Sequence, residues 1–150
     1  MSKPFALQTL RELAREDSDA AAAQLGRVTG HARDMDERLR LLLDYRSEYA
    51  ARLTRVAQTG MHSTGWRNFR EFIDKIDAAI DQQRELVAAA QRQVESGQSH
   101  WHAQQRRLKS YDTLYERHCS AEQRSEARRE QKEQDDFALR GFLAQRATLG

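Results

Sequence analysis

Residues able to do chemistry are scattered along this chain in a way that argues against a catalytic or metal centre. The five histidines are His31, His62, His100, His102 and His118. A metal site needs ligands that converge on one face. His100 and His102 are two positions apart, so on a helix they point in different directions, and no H-x-x-x-H or H-x-x-E spacing occurs. Solvated helix histidines are the default reading, and neither a metal nor any other cofactor is called for. Nucleophile chemistry has no better footing: there is no G-x-S-x-G, no glycine-rich phosphate loop, and no group placed to orient a Cys/His pair around Cys119. Carboxylates are plentiful but fall on solvated faces. Gly26-x-x-x-Gly30 has the spacing of a membrane-helix dimer motif, yet it sits among charges, which voids the motif. An enzyme is therefore not expected.

Composition narrows the class further. Of 150 residues, 39% are hydrophobic and 32% charged, with one proline. That is too polar for a thick core and suits a thin bundle in which each helix buries one stripe. The net charge of +2 comes from interspersed signs, which excludes the basic patch of a nucleic-acid binder. A lone Cys119 gives no disulfide framework and points to a reducing compartment. The start, Met1-Ser2-Lys3-Pro4-Phe5, has no apolar core of a signal peptide. No apolar run approaches the roughly 20 residues of a membrane span, so direct membrane insertion is not expected.

The elements that must carry these residues are long helices. From Phe69, steps of four and three reach Ile73, Ile76, Ile80, Gln83, Val87, Ala90, Val94, Gly97, Trp101, Gln104, Leu108, Tyr111 and Tyr115 without a slip. Such a stripe, repeating every 3.5 residues, asks for a second helix to cover it. An earlier seam runs Leu7, Leu10, Ala14, Asp17, Ala21, Leu25, Val28, Ala32, Met35, Leu39, Leu42, Arg46, Tyr49, Leu53, Val56, with two successive four-residue steps at Ala21 that read as a stutter. Helix one is expected over about 5–58 and helix two over about 66–146. The loop of about 59–65 contains Gly60 and Gly65, and Asn68 with Glu71 (or Ser63 or Thr64) would cap the second start.

The expected fold is all-α: one domain, a long antiparallel two-helix coiled-coil hairpin, monomeric in isolation, its structural rival being a homodimer of two extended chains. Size matching supports the fold-back. It sets Trp101 opposite Ala21–Ala23, Gly97 opposite Gly26 in close backbone approach, Tyr115 near Leu10, and Ile73 near Ala51 and Leu53. At about 1.5 Å per residue, helix one reaches roughly 80 Å and helix two roughly 120 Å. Helix two therefore ends in a charged C-terminal overhang from about residue 120, held by spaced pairs such as Arg129/Glu133, Lys132/Asp136 and Asp136/Arg140. Beyond about Arg140 it is expected to fray unless a partner binds. Leu39, Leu42, Tyr49, Ile73, Ile80, Val87, Trp101 and Leu108 are expected as structural seam.

One stretch exceeds the needs of a hairpin. Phe72, Ile76, Ala79 and Gln83 form a second stripe beside the main seam, sharing Ile76 and Gln83 with it. With Phe69, Ile73 and Ile80 this makes an apolar face too wide for one partner helix. Either the loop end packs Trp66 and Phe72 against Tyr45 and Tyr49, or the face docks another protein, with Trp66 as an aromatic anchor.

Several motifs resemble the flagellar export protein FliJ family. Leu42-Leu43-Asp44-Tyr45-Arg46-Ser47-Glu48-Tyr49 is similar to its L-x-D-Y-x-x-E-Y stretch. Trp66 followed by Phe72-Ile73, the Trp101 region, Glu130-Gln131-Lys132 with Asp135-Asp136-Phe137, and Leu7-x-x-Leu10 match in order and spacing over nearly the whole chain. The resemblance implies a non-enzymatic component of the flagellar type III export apparatus, serving motility and chemotaxis. It would be cytoplasmic and peripherally associated with the inner membrane at the flagellar base. It implies a coiled coil similar to a rotary-ATPase stalk, with three partners: the hexameric export ATPase, whose assembly and activity it promotes; the membrane export gate; and export chaperones, whose cycling it assists. The gate-contacting surface maps onto Phe72, Ile76, Ala79 and Gln83, the last departing from a histidine often found there. By analogy the ATPase ring meets Leu7, Leu10, Arg124, Arg128, Lys132, Asp135 and Asp136. The rivals are a general coiled-coil adaptor or chaperone, and a stalk protein of virulence-type secretion without a flagellar role.

Overall fold

A computed structural model describes residues 4–60 and 62–149. Two helices make up the fold: α1 spans Gln8–Thr59 (52 residues) and α2 spans Ser63–Leu149 (87 residues). They pack against each other as an antiparallel hairpin, α2 being the longer. The contacts fall into two units, one of Ser18–Ala103 and the other of Met1–Asp17 with Gln104–Gly150.

The turn is tighter than the sequence suggests. Gly60 adopts φ +87°, the left-handed conformation that glycine supplies at a helix C-terminus, and its N–H donates to the Ala57 carbonyl at 3.4 Å. His62 then caps α2, in place of Asn68, Ser63 or Thr64. Its carbonyl accepts the Trp66 N–H at 3.1 Å, and its Nδ1 accepts the Thr64 N–H at 3.4 Å. A histidine at this position satisfies an orphan donor as a serine would, so α2 starts three residues before the expected boundary. At the other terminus α1 starts later than expected. The Gln8 N–H donates to the Phe5 carbonyl at 3.1 Å, and the first helical bond runs from Arg11 N–H to Leu7 O at 2.9 Å.

In the Ser18–Ala103 unit the core is thin, as two helices require. Ala21, Ala32, Met35, Ile76, Ile80 and Ala90 are buried, with Val87 and Val94 packed against Ala32, Met35 and Ala90. Small residues let the helices approach. Gly97 lies beneath α1, where an added Cβ would meet Leu25 Cδ1 at 3.3 Å and Val28 Cγ2 at 3.4 Å. The expected Gly97/Gly26 approach does not occur: a Cβ on Gly26 would have nothing within 4 Å. A large side chain fills the space over the glycine instead.

The covered stripe of α1 also differs from the apolar one. Arg11 and Ser18 face α2, Ser18 being buried, while Leu10 is exposed. The covered positions therefore step Leu7, Arg11, Ala14, Ser18, Ala21, Leu25, Val28 in strict alternation of four and three, and the stutter vanishes. Hydropathy misplaced Arg11 because its long stem packs apolar surface while its head finds a charge.

Candidate partner-binding faces

The loop-proximal face is built on rings. Tyr45 and Tyr49, one turn apart on α1, meet Phe69 and Phe72 of α2. Ring centroids stand 4.5 Å apart for Tyr49–Phe72, 5.1 Å for Tyr49–Phe69 and 6.3 Å for Tyr45–Phe72. Offset and edge contacts of this kind stabilise beyond the area they bury. Phe72 thus packs on Tyr45 and Tyr49, whereas Trp66 remains 45% exposed. Among the described residues, Trp66, Tyr45, Leu41, Leu43 and Leu86 are the large apolar side chains left to solvent in this unit.

The four residues of the second stripe divide in two. Ile76 (6% exposed) and Gln83 (8%) lie in the seam; Phe72 and Ala79 are half-buried and retain surface. Gln83 has a definite task there. Its Nε2 donates to the Met35 carbonyl at 3.0 Å and lies 3.6 Å from Met35 Sδ. A buried amide without a partner is costly, so this bond ties α2 to one register on α1. Beside it Arg46 forms a fork on Asp77, Nε to Oδ1 and NH2 to Oδ2, the latter at 3.3 Å. The Arg46 hydrogen bond holds the Asp77 carboxyl below the usual carboxylate range, and the same bond raises Arg46. Arg46, which interrupts the apolar seam in sequence, is accommodated at its edge.

The second candidate face belongs to the unit containing both chain termini. Here Ala14 is the one buried apolar residue among those described. Arg11 Nε donates to Asp112 Oδ1 at 2.8 Å and its guanidinium sits 4.0 Å over the Tyr115 ring. The hydrogen bond to Asp112 raises the pKa of Arg11. Phe5 packs on Tyr115 and His118, each at 5.5 Å, and Arg107 reaches Asp17 at 3.5 Å. Gln104 Oε1 is buried without a hydrogen-bond partner, a cost of about 1–3 kcal/mol. Half-burial continues along α2 through His118, Glu122 and Ser125; every described residue from 126 onward is exposed. The overhang thus starts about six residues later than expected, and the helix runs to Leu149.

Of the ring-contact candidates, Leu7 is half-buried, whereas Leu10, Arg124, Arg128, Lys132, Asp135 and Asp136 are exposed. The ion pairs Arg11–Asp112, Arg46–Asp77 and Arg107–Asp17 each join α1 to α2. The expected pairs Arg129/Glu133, Lys132/Asp136 and Asp136/Arg140 do not close, since exposed pairs repay too little to fix two long side chains. The eight seam residues are all covered at least in part: Ile80 is buried, and Leu39, Leu42, Tyr49, Ile73, Val87, Trp101 and Leu108 are half-buried. Sequence reasoning missed Asp77 and Asp112, the carboxylates that anchor Arg46 and Arg11. Their signal was available, since each falls opposite its arginine in an antiparallel register.

Among the described residues no cluster of three or more His, Cys, Asp or Glu is placed to hold a metal ion. Nor, among those residues, is any helix long and apolar enough to cross a membrane. What the molecule offers is extended helical surface. The family model "Flagellar FliJ protein" matches residues 2–147. The chain belongs to the FliJ family. Flagellar FliJ proteins of Salmonella typhi and of Escherichia coli K12 are each 33% identical over 143 residues, which cover 95% of this chain and 97% of either relative. Membership supports a component of the flagellar export apparatus, in a structural and regulatory family rather than an enzyme family.

Proposed function

We propose that this FliJ-family chain acts as the stalk-like coupling element of the flagellar type III export apparatus. It binds the export ATPase and promotes assembly of its hexamer. It joins the ATPase to the membrane export gate and assists the cycling of export chaperones. It works in the cytoplasm, peripherally at the inner membrane beneath the flagellum. The observation that carries this reading is the family match over residues 2–147 of a chain that is almost wholly two packed helices. Physically, paired helices resist bending and leave little room for a cleft, so they suit coupling rather than catalysis.

Two faces are available for the two principal partners. The exposed end of α2, with Arg124, Arg128, Lys132, Asp135 and Asp136, offers the ATPase charge of both signs. The face at the loop offers the gate Phe72 and Ala79 directly, while Ile76 and Gln83 hold them from beneath. This division sets the choice of variant. An alanine at the buried Ile76 would cost about 2–4 kcal/mol of stability. Trp66→Ala, at a side chain 45% exposed, should weaken gate binding while the helical circular dichroism stays unchanged. The deciding experiment titrates the chain into the cognate export ATPase. Stimulated hydrolysis with hexamer formation supports the stalk. No effect on the ATPase, with gate or chaperone binding intact, reduces the chain to an adaptor.

A further inference from the structure

The face of α2 that meets α1 does not end where its covering does. Continuing the steps of four and three from Ser125 reaches Arg129, Lys132, Asp136, Leu139, Leu143 and Arg146. The stripe is polar for three positions and then apolar again. Leu139 and Leu143 are 57% and 54% exposed, and Phe142, beside them on the same side, is 58% exposed. The seam thus resumes in its original register on a part of α2 where every described residue is exposed.

We propose that this resumed seam pairs with the same segment of a second copy of the chain, antiparallel and about a two-fold axis. The pattern is self-complementary in one register. Laying the segment against itself with Leu139 opposite Leu143 of the second copy also sets Asp136 opposite Arg146 of the second copy. The two-fold repeats both layers, giving two leucine layers flanked on each side by an acid–base layer. Phe142 of each copy then comes together at the edge of the seam. Sliding by one heptad would set Arg129 against Arg146 and leave Asp136 facing Leu139, so charge selects the register as well as the orientation. Asp136 and Arg146 make no ion pair within the chain, which leaves both free for this contact. An isologous patch of this kind closes on itself and gives a dimer rather than a filament. The patch is small beside the roughly 1,600 Å² of a standard interface, so the pair is weak and concentration-dependent, with a dissociation constant on the order of 100 µM.

Sedimentation equilibrium of the full chain, alone and up to about 1 mM, tests the proposal. Charge reversals supply the specificity. Asp136→Arg and Arg146→Asp should each weaken the dimer about tenfold, because each creates two like-charged layers. The double exchange should restore it. Leu143→Asp should abolish it. All three positions lie on exposed helix, so circular dichroism should be unchanged throughout. Three results overturn the proposal: a chain that stays monomeric over this range, a dimer indifferent to Leu143→Asp, or single reversals that the double exchange does not rescue. If the chain is monomeric and Leu143→Asp abolishes ATPase binding, the resumed seam belongs to the ATPase.

Discussion

The Ser18–Ala103 unit and the unit of the chain termini are built from the same two helices by different means. In the first, a column of alanine, methionine and isoleucine is excluded from water, and one buried amide fixes its register. In the second, Ala14 is the one buried apolar residue among those described, and α1 is fastened by Arg11 on Asp112 and Tyr115, by Phe5 on Tyr115, and by Asp17 with Arg107. Apolar burial scales with the area removed from water and is not screened by salt, whereas ion pairs near the surface contribute little and are screened. The difference teaches that one continuous heptad pattern can be held by apolar burial along one stretch and by polar and ring contacts along another.

The largest test of this contrast is Ile80→Ala. Ile80 is among the most buried side chains of the core, so its truncation should cost about 2–4 kcal/mol and lower the thermal midpoint by several degrees. A loss below about 0.5 kcal/mol would mean that the column is not what holds the Ser18–Ala103 unit together. Glycines give a smaller and signed effect. Gly26→Ala and Gly30→Ala place a methyl where nothing lies within 4 Å, so each should stabilise by about 0.5–1 kcal/mol through helix propensity. Gly97→Ala should gain less than either, since Leu25 and Val28 must yield to the new methyl.

In the terminal unit the readout is local. Arg11→Ala should speed amide exchange over residues 8–14 and 108–118 and leave residues 76–94 protected. Uniform acceleration would show that the two units open together. Acid gives the smallest effect, on the other side of the comparison. Because Arg46 lowers the Asp77 pKa, the charged form is favoured in the fold. That stabilisation is present above the unfolded value and is lost as pH falls from about 4 through the folded value. Urea midpoints of wild type and Asp77→Asn should therefore converge as the pH is lowered through that window. A constant gap would remove the pair from the account.

Much of this was legible from the residues, because a two-helix fold has one main variable, the face each helix buries. Every position on the steps of four and three from Phe69 to Tyr115 is buried or half-buried in the fold, since apolar periodicity reports burial directly. They failed where polar groups do the covering. Arg11 and Ser18 took seam positions from Leu10 and Asp17, and His62 rather than Asn68 capped α2. Hydropathy assigns no value to a stem that packs or to an imidazole that accepts a backbone N–H.

Sequence by itself determined that there would be two long helices, a break near Gly60 and a second helix that outruns the first, and it favoured a fold-back over two extended chains. It also determined the family, through motifs in fixed order. Only the tertiary structure decided which polar residues enter the seam, that Gln83 is a register bond rather than open surface, and where α1 ceases to cover α2. The reason is physical: secondary structure and periodicity are encoded within a few turns of one helix. The fate of a polar side chain depends on what the opposing helix presents, and that is fixed only when the two are in register.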